Sequence, residues 1–179
     1  MIKNNYKIKT GLFLLVSIVA ILFSPIIGSA NDSLDIPKTG FEERNDGSWT
    51  THQEELDFLE ELSEKSDRVR YSQVGTTEEG RPLHLVRVGY PLPDSDEEIA
   101  SGRNILIMGT FHGNEPSGRE MSLKLMRDLA YTEDPDMLEL LEKSTILFLP
   151  TVNPDGREAN RRRNNDNHDL NRDGVILKT

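Results

Sequence analysis

His112 and Glu115 stand three residues apart in the stretch FHGNEPSG, residues 111–118. An imidazole and a carboxylate suit a catalytic zinc held by two His and one Glu with an open position for water. Gly113, between them, allows a sharp turn with close backbone approach, so the pair can aim at one point. A bare His-x-x-Glu is more often a surface histidine beside a helix-start acid, which the helix dipole favours. Here the pair lies between an apolar run and a helix-forming run. In open α/β sheets ligands collect beyond the carboxyl ends of the strands. A second group is Arg161, Arg162 and Arg163, followed by NNDNHDLNRDGVI. Asp169, Asn171, Asp173 and Gly174 fit positions 1, 3, 5 and 6 of a calcium loop, with Ile176 at its apolar position 8. Such a loop ends in a bidentate acid at position 12, here one residue past Thr179, and RRRNNDNH is a poor leading helix. His52, His84 and His168 read as packing or surface residues. There is no cysteine, so disulfides and thiolate sites are excluded and any metal takes His and carboxylate ligands.

The elements that must position these residues can be read from pattern. Residues 31–48 are polar, with Pro37, Gly40 and Gly47, and read as a flexible lead-in. THQEELDFLEELSEKS reads as an amphipathic helix with Leu56, Leu59 and Leu62 on one side and a capping box from Thr51 to Glu54. VRYSQVGTT and LHLVRVGY, joined by EEGRP, read as a hairpin. PLPDSDEEIASGR reads as an acidic surface loop. NILIMGT is a short apolar run, as expected of a strand buried on both faces. A helix is predicted from near Gly118 to about Tyr131, boxed by Ser117 and Glu120, and another begins at the N-cap Asp134 with Pro135 in its first position. TILFLPTVNPDG reads as a second apolar strand closed by an Asn153-Pro154-Asp155-Gly156 turn. The alternation argues for an α/β fold, a layered α/β/α domain with a mixed, mostly buried sheet.

The chain has 179 residues, enough for one domain, with 35% hydrophobic residues and a net charge of -10. Its mean hydropathy of -0.54 is that of an ordinary globular protein with a polar surface. The acidic balance argues against nucleic acid as a partner. MIKNNYKIKT carries three lysines and no acid, and an apolar run ends in Gly28-Ser29-Ala30. That is the layout of a secretory signal cleaved after Ala30, with Pro25 breaking the apolar helix. It implies a secreted chain without stable membrane association once cleaved. The division expected is a signal peptide at 1–30, the lead-in at 31–48, a domain bearing the candidate site at 49–173 and a short tail at 174–179.

GTFHGNEPSG resembles the first metal-binding segment of the zinc metallocarboxypeptidases, the carboxypeptidase A-like peptidases. VGTTEEGRPLHLVRVG is similar to the hairpin preceding the site in that family, and LPTVNPDGREANRRRNNDNHDLNRD to its substrate-binding segment. The likeness runs from about Tyr71 to Asp173 with its motifs in order. It implies hydrolysis of peptide bonds near a free C-terminal carboxylate, on peptide or protein C-termini, with cell-wall peptides also open. His112 and Glu115 would be two ligands of one zinc ion. Asn171 and Arg172 would grip the substrate's terminal carboxylate. Arg162, nine residues before Asn171, would polarise the scissile carbonyl, with Arg163 as fallback. A guanidinium suits both tasks, because it binds a carboxylate through two parallel hydrogen bonds and stabilises an oxyanion.

The resemblance also implies residues with no position in this sequence: a third zinc ligand, a closing Tyr and a general-base Glu, all after DLNR. Beyond Asp173 the family pattern gives way to GVILKT. The expectation is a truncated, inactive copy of the N-terminal part of a zinc-carboxypeptidase fold. The nearest rival is a zinc deacylase of the aspartoacylase and succinylglutamate desuccinylase group, which shares HGNE and DLNR. A non-catalytic module that binds peptide carboxylates is the rival from another class.

Overall fold

The computed structural model describes residues 35–172. The signal peptide, Asp173 and the tail at 174–179 lie outside the described residues.

The described part of the predicted lead-in, residues 35–48, is held in place rather than flexible. Thr39 caps a short helix, α1 (Gly40–Glu43), in a full capping box with Glu42. The Glu42 carboxylate also pairs with Arg127, and Phe41 stacks on Trp49 with ring centroids 4.6 Å apart. Tertiary partners that composition cannot reveal hold this polar stretch. α2 (His52–Lys65) begins with the Thr51–Glu54 capping box that the sequence predicts. Its buried stripe is Glu55, Phe58, Leu59 and Leu62, at i, i+3, i+4 and i+7. Leu56, expected on that stripe, is only half-buried.

The hairpin is as predicted. β1 (Val69–Thr76) and β2 (Pro82–Val88) pair antiparallel from Val69 opposite Val88 to Thr76 opposite Pro82. The predicted acidic loop contains a helix, α3 (Asp96–Ser101), because Ser95 accepts the Glu98 N–H as its N-cap. β3 (Asn104–Met108) leads through α4 (Ser117–Ala130) and α5 (Pro135–Lys143) to β4 (Thr145–Leu149). β3 and β4 pair parallel, which needs a crossover of this kind. β4 pairs antiparallel with β2, so the sheet is mixed, in the order β1-β2-β4-β3. Phe58, Leu59, Leu62, Leu123 and Met126 pack from α2 and α4 onto Val86, Val88, Ile146 and Phe148. On the opposite face α3 engages the sheet through Asp96, which pairs with Arg87.

Burial is concentrated in the central strands. β3, expected to be covered on both faces, lies at the end of the sheet order, and Leu106 is 55% exposed. Its apolar run matches a buried strand in composition, but coverage is decided by neighbours, not by the strand itself. Ser117 is not part of a capping box: Pro116 holds the N-cap position of α4 with no side-chain cap. Glu120 instead turns inward and accepts the Thr50 N–H at 2.9 Å. The predicted Asn-Pro-Asp-Gly turn is the entry to a helix, α6 (Pro154–Glu158), capped by Asn153 with Pro154 in the first turn.

Candidate active site

Because β3 and β4 are parallel, the loops leaving their carboxyl ends emerge side by side. The ladder continues past the strands: Gly109 N–H bonds Leu149 O at 2.9 Å, Val152 N–H bonds Gly109 O at 3.0 Å and Asn153 N–H bonds Thr110 O at 3.1 Å. Thr110 has φ of 49°, the left-handed region that a β-branched residue rarely enters. Such conformations cluster at functional sites and persist where the surroundings over-determine them. Two residues on, the His112–Glu115 turn closes with Glu115 N–H to His112 O at 3.0 Å. At Gly113 a Cβ would stand 1.9 Å from the carbonyl carbon of Gly156. Only glycine lets this turn rest on α6, and Arg157 Nη1 adds a bond to Gly113 O at 3.1 Å.

Four side chains close a ring here. His112, 6% exposed, has Nδ1 3.1 Å from Glu115 Oε2 and Nε2 3.0 Å from Asp169 Oδ1. Arg162 donates from Nε to Asp169 Oδ2 at 3.0 Å and from Nη1 to Glu115 Oε1 at 3.2 Å. Burial works to raise the Asp169 carboxyl, but the hydrogen bonds from His112 and Arg162 outweigh it and hold the group down at about 2. In a neutral imidazole one nitrogen carries the proton and the other a lone pair. A proton on Nε2, held by Asp169, leaves Nδ1 bare and facing a carboxylate oxygen. In that tautomer Nδ1 and Glu115 Oε2, 3.1 Å apart, are two electron-pair donors that a cation can bridge; with the proton on Nδ1 the same pair is a hydrogen bond. A metal-binding histidine typically donates its other ring N–H to a carboxylate, and Asp169 occupies that place.

Of the three arginines, only Arg162 turns toward His112. Arg161 bonds the Asn165 side chain and Arg163 the Asn167 carbonyl, each at 2.8 Å. Asn171 and Arg172 lie in a 3-10 turn, Leu170–Arg172, with exposed side chains outside the ring. With both Asp169 oxygens engaged by His112 and Arg162, the first position of the calcium-loop reading is occupied. His84 packs edge-on to Tyr71, and burial pushes both His52 and His84 below the ordinary imidazole value. A cleft of about 460 Å³ opens beside the ring, lined in part by Thr77, Phe111, Asp155 and Leu170. None of the four ring residues lines it. Among the described residues there is no group of three or more His, Cys, Asp or Glu able to hold a metal.

The sequence profile of the zinc carboxypeptidases matches residues 55–173. The chain belongs to the zinc carboxypeptidase family. Carboxypeptidase E of Caenorhabditis elegans is 30% identical over 127 residues, covering 67% of this chain and 26% of the relative. Carboxypeptidase SOL1 of Arabidopsis thaliana is 33% identical over 119 residues, covering 65% and 23%. The solved metallo-carboxypeptidase from Burkholderia cenocepacia superposes with a TM-score of 0.58 at 26% identity, covering 68% of this chain and 32% of that one. The chain therefore spans no more than about a third of the length of these relatives. The family implies zinc, and the facing Nδ1 and Oε2 atoms are the donors here that fit it.

Sequence reasoning placed Asp169 only in the calcium loop, and it missed both its bond to His112 and the charges beneath the site. The carboxylate was visible two residues before Asn171, and the tendency of a metal-binding imidazole to donate its second N–H to a carboxylate made it a candidate. Under the loop, Arg119 is fully buried, with Nη1 3.4 Å from Glu55 Oε2. Thr151 Oγ1 donates to the same oxygen at 2.7 Å. Burial pushes the Glu55 carboxyl up.

Proposed function

We propose that this chain carries the first metal-binding and carboxylate-recognising segments of an exported zinc metallocarboxypeptidase, which hydrolyses the peptide bond next to a free C-terminal carboxylate. The observation that supports this best is the convergence of His112 Nδ1 and Glu115 Oε2, with the ring held from behind by Asp169 and Arg162 alongside. His112 and Glu115 would hold one zinc ion, which when bound acidifies water and polarises a carbonyl. A third protein ligand has no candidate among the described residues. Arg162 would present its guanidinium to the substrate carbonyl oxygen, where a fixed donor is worth about 2.7–4 kcal/mol of transition-state stabilisation. Asn171 and Arg172 would take the terminal carboxylate, the guanidinium through a two-pronged hydrogen bond. Export through residues 1–30 follows from their basic head, apolar middle and small-residue end.

Titration calorimetry of the full chain, with zinc present, against a short peptide and its C-terminal amide tests the assignment. Binding should favour the free acid, and Arg172→Ala should abolish the preference. Equal binding of acid and amide, or an N-acyl amino acid bound in preference to the peptide, would overturn the carboxypeptidase reading.

A further inference from the structure

We infer that Asn153 is a positioning residue for this site: its side-chain amide fixes the backbone that carries His112 against the backbone that carries Arg162. The inference rests on the reading of those two residues given above. Asn153 is 2% exposed, and its side-chain hydrogen bonds reach three chain segments. Nδ2 donates to Phe111 O, immediately before His112, at 3.1 Å, and to Arg162 O at 3.3 Å. Oδ1 accepts the Gly156 N–H at 2.9 Å, capping α6. The segments so joined lie 42 and 9 residues away along the chain.

The chemistry of the site selects asparagine. Two carbonyl oxygens and one N–H converge on one side chain, and a primary amide supplies two donors and an acceptor. Aspartate would keep the cap but set a carboxylate against two carbonyls. Serine would keep a capping oxygen but carries a single donor on a shorter arm. The amide packs directly on the Gly156 backbone, where a Cβ would stand 2.4 Å from Nδ2, so only glycine at 156 leaves room for it. Buried polar groups left without partners are costly, so removing these donors leaves both carbonyls to find other partners. The predicted shift is in the backbone beneath His112 and Arg162.

The test compares zinc affinity, by competition with a chromophoric chelator, in the full chain and in Asn153→Asp, Asn153→Ser, His112→Ala and Asp134→Ala. Asp134→Ala removes the cap of the remote α5 and calibrates a purely structural loss. Both Asn153 variants should weaken zinc binding by about tenfold, the lower end of the loss on removing an outer partner of a metal ligand, because Asn153 acts one step further out through the Phe111 carbonyl. Asp134→Ala should lower the melting temperature without that loss. Zinc affinity within twofold of the native chain in a folded Asn153→Asp or Asn153→Ser protein would overturn the inference and leave Asn153 as a helix cap alone. If His112→Ala binds zinc as the native chain does, the metal reading itself fails, a separate outcome. Should neither Asn153 variant fold, hydrogen exchange of the native Asn153 side-chain amide decides. Both protons should be protected as well as the α6 backbone, and free exchange of either would refute the cross-link.

Discussion

Replacing Arg119 by Met removes a cation that has no exposed surface and leaves two buried carboxylates beneath the site. Glu55 Oε2 lies 3.4 Å from Arg119 Nη1. At an effective dielectric of about 20 that separation corresponds to roughly 5 kcal/mol of attraction. Breaking a buried pair by removing one partner costs about 3–5 kcal/mol for the same reason, an uncompensated charge. The cost must depend on pH, and its sign follows from Glu55. Burial holds the folded Glu55 pKa above its ordinary 4.5. Stability linked to this group is therefore complete below about pH 4.5 and is lost as pH rises through the folded pKa. Loss of Arg119 removes a charge that favours the ionised form, so the folded pKa climbs further and the penalty grows with pH. Urea melts should show Arg119→Met destabilised by about 3–5 kcal/mol at pH 8 and by clearly less at pH 4. Glu55→Gln keeps an acceptor for Thr151 and should recover part of the loss in the double variant at pH 8. A pH-independent penalty, or one below about 1 kcal/mol at pH 8, would show that the buried charges are not coupled as described.

Asp169→Asn keeps the shape but leaves an amide that cannot accept from both His112 Nε2 and Arg162 Nε. Zinc affinity should fall by about 10–100-fold in a chelator competition. The Arg44 hydrogen bond leads the effects that hold Glu54 down at about 2, so this pair contributes stability above pH 4.5 that fades as pH falls toward 2. The pair is about a third exposed, so Arg44→Ala should lower the melting temperature only slightly at pH 6 and not measurably near pH 2 in thermal melts. Leu106→Lys places a charge on an exposed edge strand, and should reduce self-association in light scattering without lowering the melting temperature.

What was legible in the sequence is what acts over a few residues or repeats with a short period. The Thr51–Glu54 capping box, the Asp134-Pro135 helix start, the hairpin from Val69 to Val88 and the strand, His-x-x-Glu, helix order all follow from local rules, and all are present. His112 and Glu115 pointed to metal chemistry because the pair sits on a tight turn between an apolar strand and a helix start, a context that a bare His-x-x-Glu lacks. What remained hidden depends on partners far along the chain. Asp169 meets His112 across 57 residues, Asn153 meets Phe111 across 42, and Glu120 leaves its predicted box for Thr50 across 70. Which of three consecutive arginines faces His112 is likewise decided by the loop's path over α6. The β1-β2-β4-β3 order sets the loops after β3 and β4 side by side and leaves β3 at the edge. Local pattern therefore determined the elements and the chemistry on offer. Only the sheet order decided which groups meet and which apolar faces are covered, because contacts between distant residues are set by topology and not by neighbours in the sequence.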